Sequence, residues 1–570
     1  MPLIKKIWLF NGIVFLSAFL LFQIELIIAK IFLPLYGGNY LVWGACVVFF
    51  QGALLLGYIF AHLIVSRLGV ARYLNIHLCL LFLPLLCFPG RALPEIFPQT
   101  HIPLVIDIFW QLLGSIGLVF FVLSTISIIL QSWLAASDLP EAPNPYVLFA
   151  VSNLGSFAAI LSYPAFFELV YDLPDQILIW RVCYFALIVL NIMAFVFIKV
   201  RTEDIKWVNY ARAVSFHQLA RWFLLGAASV VLFLAVTNIF TSAVAPIPLL
   251  WIIPLCIYLL SFVLNFKKDP WCPEWIRENL HVVIGFSVIL FFMTLKRILP
   301  FFLELGLYCV SLFIVCMFCQ NELYRYKPGE QRKLTLFYVV ISLGGFFGGI
   351  FVSWVVPLVF NSLIEYLFGF FMIAMALVIG QKESRIGFYN IRLFLYMIVF
   401  LLLWVIKFDE YNIFGIIFIL WTFKIVFEEF KKKPRAFSLA LVFIIFLSPL
   451  LEMICTRHFY VVVRRNYYGI TKIYDEEGFR FLMHGTTIHG AQSLDEDKQM
   501  TPITYYSTKT PSGEIFASPD FKLERIHERT SFFISRTACF IPTKRERAMM
   551  AKPIFISSMS LISRMAFTFS

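Results

Sequence analysis

Charged side chains are scarce in this sequence. Asp, Glu, Lys and Arg make up 14% of its 570 residues, while 61% are apolar. Soluble domains carry about 25% charged and about 45–50% apolar residues, so a soluble multidomain enzyme is excluded and lipid must cover the surplus. The common catalytic motifs are missing as well: there is no G-x-S-x-G elbow, no Walker loop and no H-E-x-x-H helix. Glycine is absent after Gly513, so no glycine-rich cofactor loop can be built there. The C-x-x-C formed by Cys316 and Cys319 has no second pair and no nearby histidine, which reads as core packing rather than redox or metal chemistry. The other cysteines lie mainly in apolar segments and imply no disulfide framework. A formal charge of +12 is present, but in a membrane chain Lys and Arg gather in cytoplasmic loops, so no nucleic-acid partner is expected. No metal and no cofactor are expected either.

What is there is a series of long apolar runs. A spanning helix needs about twenty such residues, and runs begin near Ile7, Leu41, Tyr73, Ile108, Tyr146, Gln176, Trp222, Pro248, Leu280, Pro300, Leu334, Ile364, Ile386, Tyr411 and Ala436. The first follows Lys5 and Lys6 and continues to about Ile28 without a small-residue cleavage site, so it is read as a retained span rather than a signal peptide. Loops alternate in charge. One side receives Lys5, Lys6, Arg67, Arg72, Lys199, Arg201, Lys267, Lys268, Arg325, Lys327, Lys333 and Lys431, the other little beyond Arg91, Lys296, Arg297 and Lys407. That asymmetry predicts a cytoplasmic N-terminus.

The chain also repeats itself. Aligning Gln131 with Gln320 without a gap sets Leu134 on Leu323, Glu141 on Glu330, Leu154 on Leu343, Gly155 on Gly344 and Phe157 on Phe346. The displacement is an even number of spans, so the copies share an orientation as a parallel repeat. The expected fold is an all-α polytopic membrane protein of about 14–15 transmembrane helices with a parallel 6+6 repeat, followed by a small β-rich C-terminal module. Residues 1–200 form the first six-helix repeat, 201–220 a cytoplasmic linker, 221–382 the second repeat and 383–456 additional membrane helices. Residues 457–513 form the β-rich module, with Tyr460 to Tyr474 and Phe479 to His484 as strands about a turn at Asp475 to Gly478. Residues 514–570 form a basic tail expected to be poorly ordered.

Polar residues inside spans are costly and usually face a bundle interior, which makes each a site candidate. The first span holds Gln23, Glu25 and Lys30, and the second Gln51 and His62; Glu25 ranks first because it lies deepest. The bland alternatives are that Lys30 snorkels and Glu25 makes one structural pair. Lys424 and Glu428 need only an i,i+4 pair. Ser152, Gly155 and Ser156, and Gly344, Gly345, Gly348 and Gly349, are small residues suited to close helix packing, while Asn153 could hydrogen-bond across helices. Pro246, Pro248 and Pro254 interrupt an apolar region where a broken helix would expose backbone groups. Trp43 and Trp251 read as interface anchors. In the exposed module His484 and His489 make a poor zinc signature and suit polar substrate contacts better.

Several stretches together resemble the bacterial membrane-fused spermidine synthase-like family. They are Phe32 to Gly38, Phe49 to Tyr58, Ser152 to Phe157, Pro248 to Pro254, Ile341 to Gly345, Arg465 to Gly469, His484 to Gln492 and Thr504 to Tyr506. The resemblance implies a multispan domain fused to an aminopropyltransferase-like domain, in which Gln492 and Tyr506 contact substrate and His484 shapes the pocket. It also implies an inner (plasma) membrane location in bacteria. With no cofactor loop after Gly513, the chain is expected to be truncated before the cofactor-binding domain, to lack aminopropyltransferase activity and to work beside the lipid bilayer with a soluble synthase-like partner. The alternative expectation is a major-facilitator-like transporter of a small molecule, a polyamine or other cation, with Glu25, Gln51 and Asn153 as solute contacts.

Overall fold

The computed structural model describes residues 3–37, 40–87, 102–200, 214–244, 251–295, 299–330 and 333–379, then 460–499 without 467, 468 and 486, and scattered positions up to 514. The chain divides into two compact units. One comprises Met1–Cys455 with Arg465–Gly469, the other Thr456–Arg464 with Ile470–Ser570.

The first unit is helical. Its first half contains α1 (Leu3–Tyr36), α2 (Tyr40–Cys87), α3 (Leu104–Leu112), α4 (Leu118–Ala135), α5 (Val147–Ser162), α6 (Glu168–Val170) and α7 (Leu173–Phe197). Its second half contains α8 (Phe216–Val244), α9 (Ile252–Phe266), α10 (Glu274–Glu278), α11 (Leu280–Leu295), α12 (Phe301–Arg325), α13 (Leu334–Ile350), α14 (Val356–Val359) and α15 (Glu365–Val378). Eight described helical stretches are long and apolar enough to cross a membrane, and three shorter apolar helices accompany them. The chain is a multi-pass integral membrane protein. Helices suit that setting because lipid offers no hydrogen bonds, so the backbone must satisfy itself.

Local departures have identifiable causes. Gly69, at φ 78 and ψ 169, breaks α2 into two helices at a kink, a conformation glycine adopts without steric cost. Wide π turns at Leu113–Gly117, Tyr163–Phe167 and Phe351–Val355 join α3 to α4, α5 to α6 and α13 to α14. Pro164 lies in the second of these turns and Pro357 just beyond the third. Proline removes one rung of the helical ladder, and a wider turn absorbs the loss.

The same close contact recurs in both halves. Gly155 of α5 lies against the backbone oxygen of Phe15 in α1, and Gly344 of α13 against that of Phe223 in α8; a β-carbon at either glycine would collide. Gly155 and Gly344 are spaced as Gln131 and Gln320 are, and Phe15 and Phe223 are spaced as Trp43 and Trp251 are. The repeat thus extends from α4 and α5 back to α1 and α2, in a second register. Connections of different length in the two halves separate those registers, so a gap-free comparison finds only the later helices.

An antiparallel meander follows in the order β1 (Tyr460–Asn466), β2 (Gly469–Glu476), β3 (Phe479–His484) and β4 (Thr487–Ser493); most of it is in the second unit, while Arg465–Gly469, which carries the end of β1 and the start of β2, belongs to the first. The stretch read as one strand is two, with Gly469 at φ 129 where the second begins. Glu476 pairs with Phe479, so Glu477 and Gly478, both at positive φ, make a two-residue hairpin loop. The His484 to Gln492 segment includes a fourth strand that strand patterning missed, because Gly490 and a bulge at Leu482/Met483 interrupt the alternation. The three expected spans between 386 and 455, with Lys424 and Glu428, lie outside the described residues. So do Pro246, Pro248, Tyr506 and the tail beyond 514.

Candidate functional site

Inside the helical unit lies a cavity of about 360 Å³ lined from both halves. From α1 come Ser17, Phe22 and Glu25, from α2 Trp43, Gln51 and Tyr58, and from α5 Phe149, Asn153 and Ser156. The second half supplies Phe233, Thr237 and Asn238 of α8, Trp251 and Tyr258 at α9, and Tyr338 and Ser342 of α13. Three sequence candidates therefore meet in one place: Glu25, Gln51 and Asn153.

Glu25 is the one charged group among the described lining residues. It makes no hydrogen bond or ion pair with any described residue. Lys30 does not neutralise it, since its ammonium pairs with Glu168 at 3.4 Å and both are about a third exposed, a geometry worth little. Gln23 turns away and ties α1 to α5, donating to the Ala159 carbonyl and to Ser162 Oγ, each at 3.3 Å. Gln51 rests against Gly349, where any side chain would collide with its Oε1, and that oxygen has no donor among the described residues. Asn153 does not reach across helices; its amide donates to Phe149 O on its own helix at 2.8 Å. His62 lies outside the lining, with Nδ1 2.7 Å from Thr335 Oγ1.

The cavity straddles the repeat. Trp43 and Trp251 occupy equivalent positions, and their ring centroids stand 6.4 Å apart. Phe149 and Tyr338, equivalent under the other register, stand 4.9 Å apart. Asn153 faces its equivalent Ser342, and Ser156 its equivalent Gly345, around the same space. The two tryptophans thus line the cavity and face each other across the repeat, a placement that the pairing of their positions discloses. Beyond the cavity, Tyr146 donates to Pro328 O at 2.9 Å, and Lys327 sits 5.3 Å over the Tyr146 ring. These contacts join the connections that precede α5 and α13.

Polarity does not follow the symmetry. The equivalent of Glu25 is Phe233, and that of Gln51 is Leu259. Gln131 accepts from Tyr338 Oη at 2.6 Å and donates to Ser127 at 3.2 Å. Its equivalent Gln320 is fully buried with neither side-chain polar atom partnered among the described residues. The reason is visible in the repeat: where Tyr338 offers a hydroxyl, its equivalent Phe149 offers none. Asn238, a lining residue, donates to Glu365 Oε1 at 2.9 Å. Glu365, fully buried, is held by Arg465 through two hydrogen bonds of 2.7 and 2.9 Å. Sequence reasoning did not single out Asn238 or Glu365, and took Arg465 only as part of the Arg465 to Gly469 resemblance; the signal was a carboxylate at the start of an apolar run and an amide deep in another.

The remaining candidates belong to the sheet. The His484 and His489 rings are 5.8 Å apart, and burial, helped by His484, holds His489 below the ordinary imidazole range. Gln492 donates to Gln499 O at 3.4 Å. Asp475 binds Arg480 with two hydrogen bonds of 2.6 and 2.7 Å, and those bonds raise the guanidinium pKa. Among the described residues no group of His, Cys, Asp and Glu could hold a metal ion.

No protein-family model matches this chain, and no curated protein matches it. Among solved structures, it is similar to the major facilitator superfamily proton:xylose symporter XylE bound to 6-bromo-6-deoxy-D-glucose, with a TM-score of 0.45 and 14% identity over 66% of this chain and 95% of that one. The resemblance to spermidine synthase-like proteins is corrected on the first of these findings: no family model, that of such proteins included, matches the chain. The stretches that carried it, such as Ser152 to Phe157 and Ile341 to Gly345, are small-residue segments that any closely packed helix pair requires. The substrate contacts inferred from it for His484, Gln492 and Tyr506 lose their basis.

Proposed function

We propose that this protein is a membrane transporter of a small organic solute, with the cavity between its two repeats as the solute site. One observation carries the reading: equivalent residues of both halves, Trp43 with Trp251, Phe149 with Tyr338 and Asn153 with Ser342, line a single interior space. A binding site at the interface of parallel repeats suits alternating access, because rocking one half against the other exposes the same residues to either side in turn. The space is mostly apolar with a few polar groups, the usual character of a small-molecule site. In this reading Gln51 and Asn153 contact the solute from the first half and Ser342 from the second. The Trp43–Trp251 contact is one point at which the halves meet and must part.

The experiment is uptake into proteoliposomes of a panel of labelled sugars, amino acids and amines. A double variant, Trp43→Cys with Trp251→Cys, is assayed before and after bridging by a short bifunctional thiol reagent. Saturable uptake of a panel member, abolished by bridging and restored on cleavage of the bridge, is the expected result. Uptake that is unchanged when the two positions are bridged would overturn the reading.

A further inference from the structure

We infer that the solute is a monovalent organic cation with an apolar or aromatic body, bound with Glu25 as its counter-charge. The inference rests on the cavity being the solute site and specifies its chemistry. Glu25 is the one charged group among the described lining residues, and it has no hydrogen bond or ion pair among the described residues. A carboxylate in a water-poor helical bundle is costly unless something opposite in charge reaches it. Lys30 is committed to Glu168, and Arg465 to Glu365. No described side chain supplies the positive charge, and the inference assigns it to the ligand.

The rest of the lining sets the ligand's other properties. Trp43, Trp251, Tyr58, Tyr258, Phe149 and Tyr338 belong to it, and aromatic faces attract cations through the ring quadrupole while also accepting apolar groups. Beyond Glu25 the described polar lining is neutral: amides such as Asn153 and hydroxyls such as Ser342. A second ammonium would have no counter-charge, so a polyamine fits poorly. The repeat sharpens the point. Glu25 stands where the second half has Phe233, so the site is charged on one side only and orients its ligand with the ammonium toward α1.

The test is equilibrium binding of three probes to purified protein in nanodiscs: phenethylammonium, its neutral isostere 2-phenylethanol, and putrescine. Phenethylammonium is expected to bind at least tenfold more tightly than either other probe. Glu25→Gln should erase its advantage over 2-phenylethanol without weakening the neutral probe, while Glu25→Asp retains part of it. The Asp variant and the wild-type probe ranking decide the matter even where the Gln variant does not fold. Equal binding of phenethylammonium and 2-phenylethanol, or preference for putrescine, would overturn the cation inference and leave the solute cavity standing. Failure of all three probes, together with absence of uptake across the proteoliposome panel, would overturn the cavity reading itself.

Discussion

The two halves of the helical unit share a scaffold and differ in chemistry. Both bring a glycine against a backbone oxygen at the same point, Gly155 on Phe15 and Gly344 on Phe223. Both place a tryptophan and an aromatic residue at equivalent points of one cavity. Yet the acidic and amide groups that face the cavity from α1 and α2, Glu25 and Gln51, have Phe233 and Leu259 as their counterparts. Close packing sets the scaffold, and any side chain that intrudes there is felt in either half. The lining has no such constraint, so polar groups can concentrate on one side and give a symmetrical frame a directional site.

The largest effect is expected where the halves differ in buried charge. In the second half Glu365 is paired with Arg465 at 2.7 Å, both almost wholly buried; at the equivalent position in the first half Gln176 is a neutral amide, donating to Tyr171 O at 2.8 Å. Arg465→Met leaves a buried carboxylate unpaired and should destabilise the protein by about 3–5 kcal/mol. Gln176→Leu should cost about 1–3 kcal/mol, the desolvation of the groups it abandons. Thermal melts followed by intrinsic tryptophan fluorescence in detergent check both. Equal losses would erase the contrast.

The next comparison tests the shared scaffold. Gly155→Ala and Gly344→Ala should each cost about 1–3 kcal/mol through overpacking, and by similar amounts. Gly12→Ala in α1, with nothing within 4 Å of its added carbon, should instead gain about 0.5–1 kcal/mol from reduced chain entropy. A marked loss at one of the first two glycines alone would break the equivalence of the α1–α5 and α8–α13 contacts.

The smallest effect is a repair. Phe149→Tyr places in the first half the hydroxyl that Tyr338 supplies in the second, and should give the buried Gln320 a partner as Gln131 has. A gain of about 1 kcal/mol is expected, the net value of one hydrogen bond, read as a rise in melting temperature. A fall would mean that the two halves do not superpose at this depth.

Much of the fold was legible because it is written in hydropathy. In its described residues each apolar run from Ile7 to Ile364 carries helix, since a span must be long, apolar and internally hydrogen-bonded. The repeat was legible only where its register is unbroken, around Gln131 and Gln320. The equivalence of Trp43 with Trp251 is hidden because connections of unequal length shift the register between the early and late helices. Of the cavity lining, the first-half polar residues Glu25, Gln51 and Asn153 stood out in the sequence because lipid makes such groups costly. Tyr58, Tyr258 and Tyr338 were not, because a tyrosine in an apolar helix looks the same whether it packs or faces a cavity. Arg465 was beyond reach for another reason: its partner Glu365 is 100 residues away in sequence, and no local pattern joins them. The family resemblance failed because motifs of small residues report how closely helices pack rather than what the protein does.

The most direct test of the central claim is whether both halves face one solute-accessible space. Asn153→Cys and Ser342→Cys, made singly, would be exposed in proteoliposomes to a small water-soluble thiol reagent, with modification read peptide by peptide by mass spectrometry. Cys316 and Cys319, fully buried in α12, serve as unreactive internal references. Both introduced cysteines should react, and a bound solute such as phenethylammonium should protect both. Reaction at neither position in folded protein, or protection at one without the other, would contradict a shared cavity.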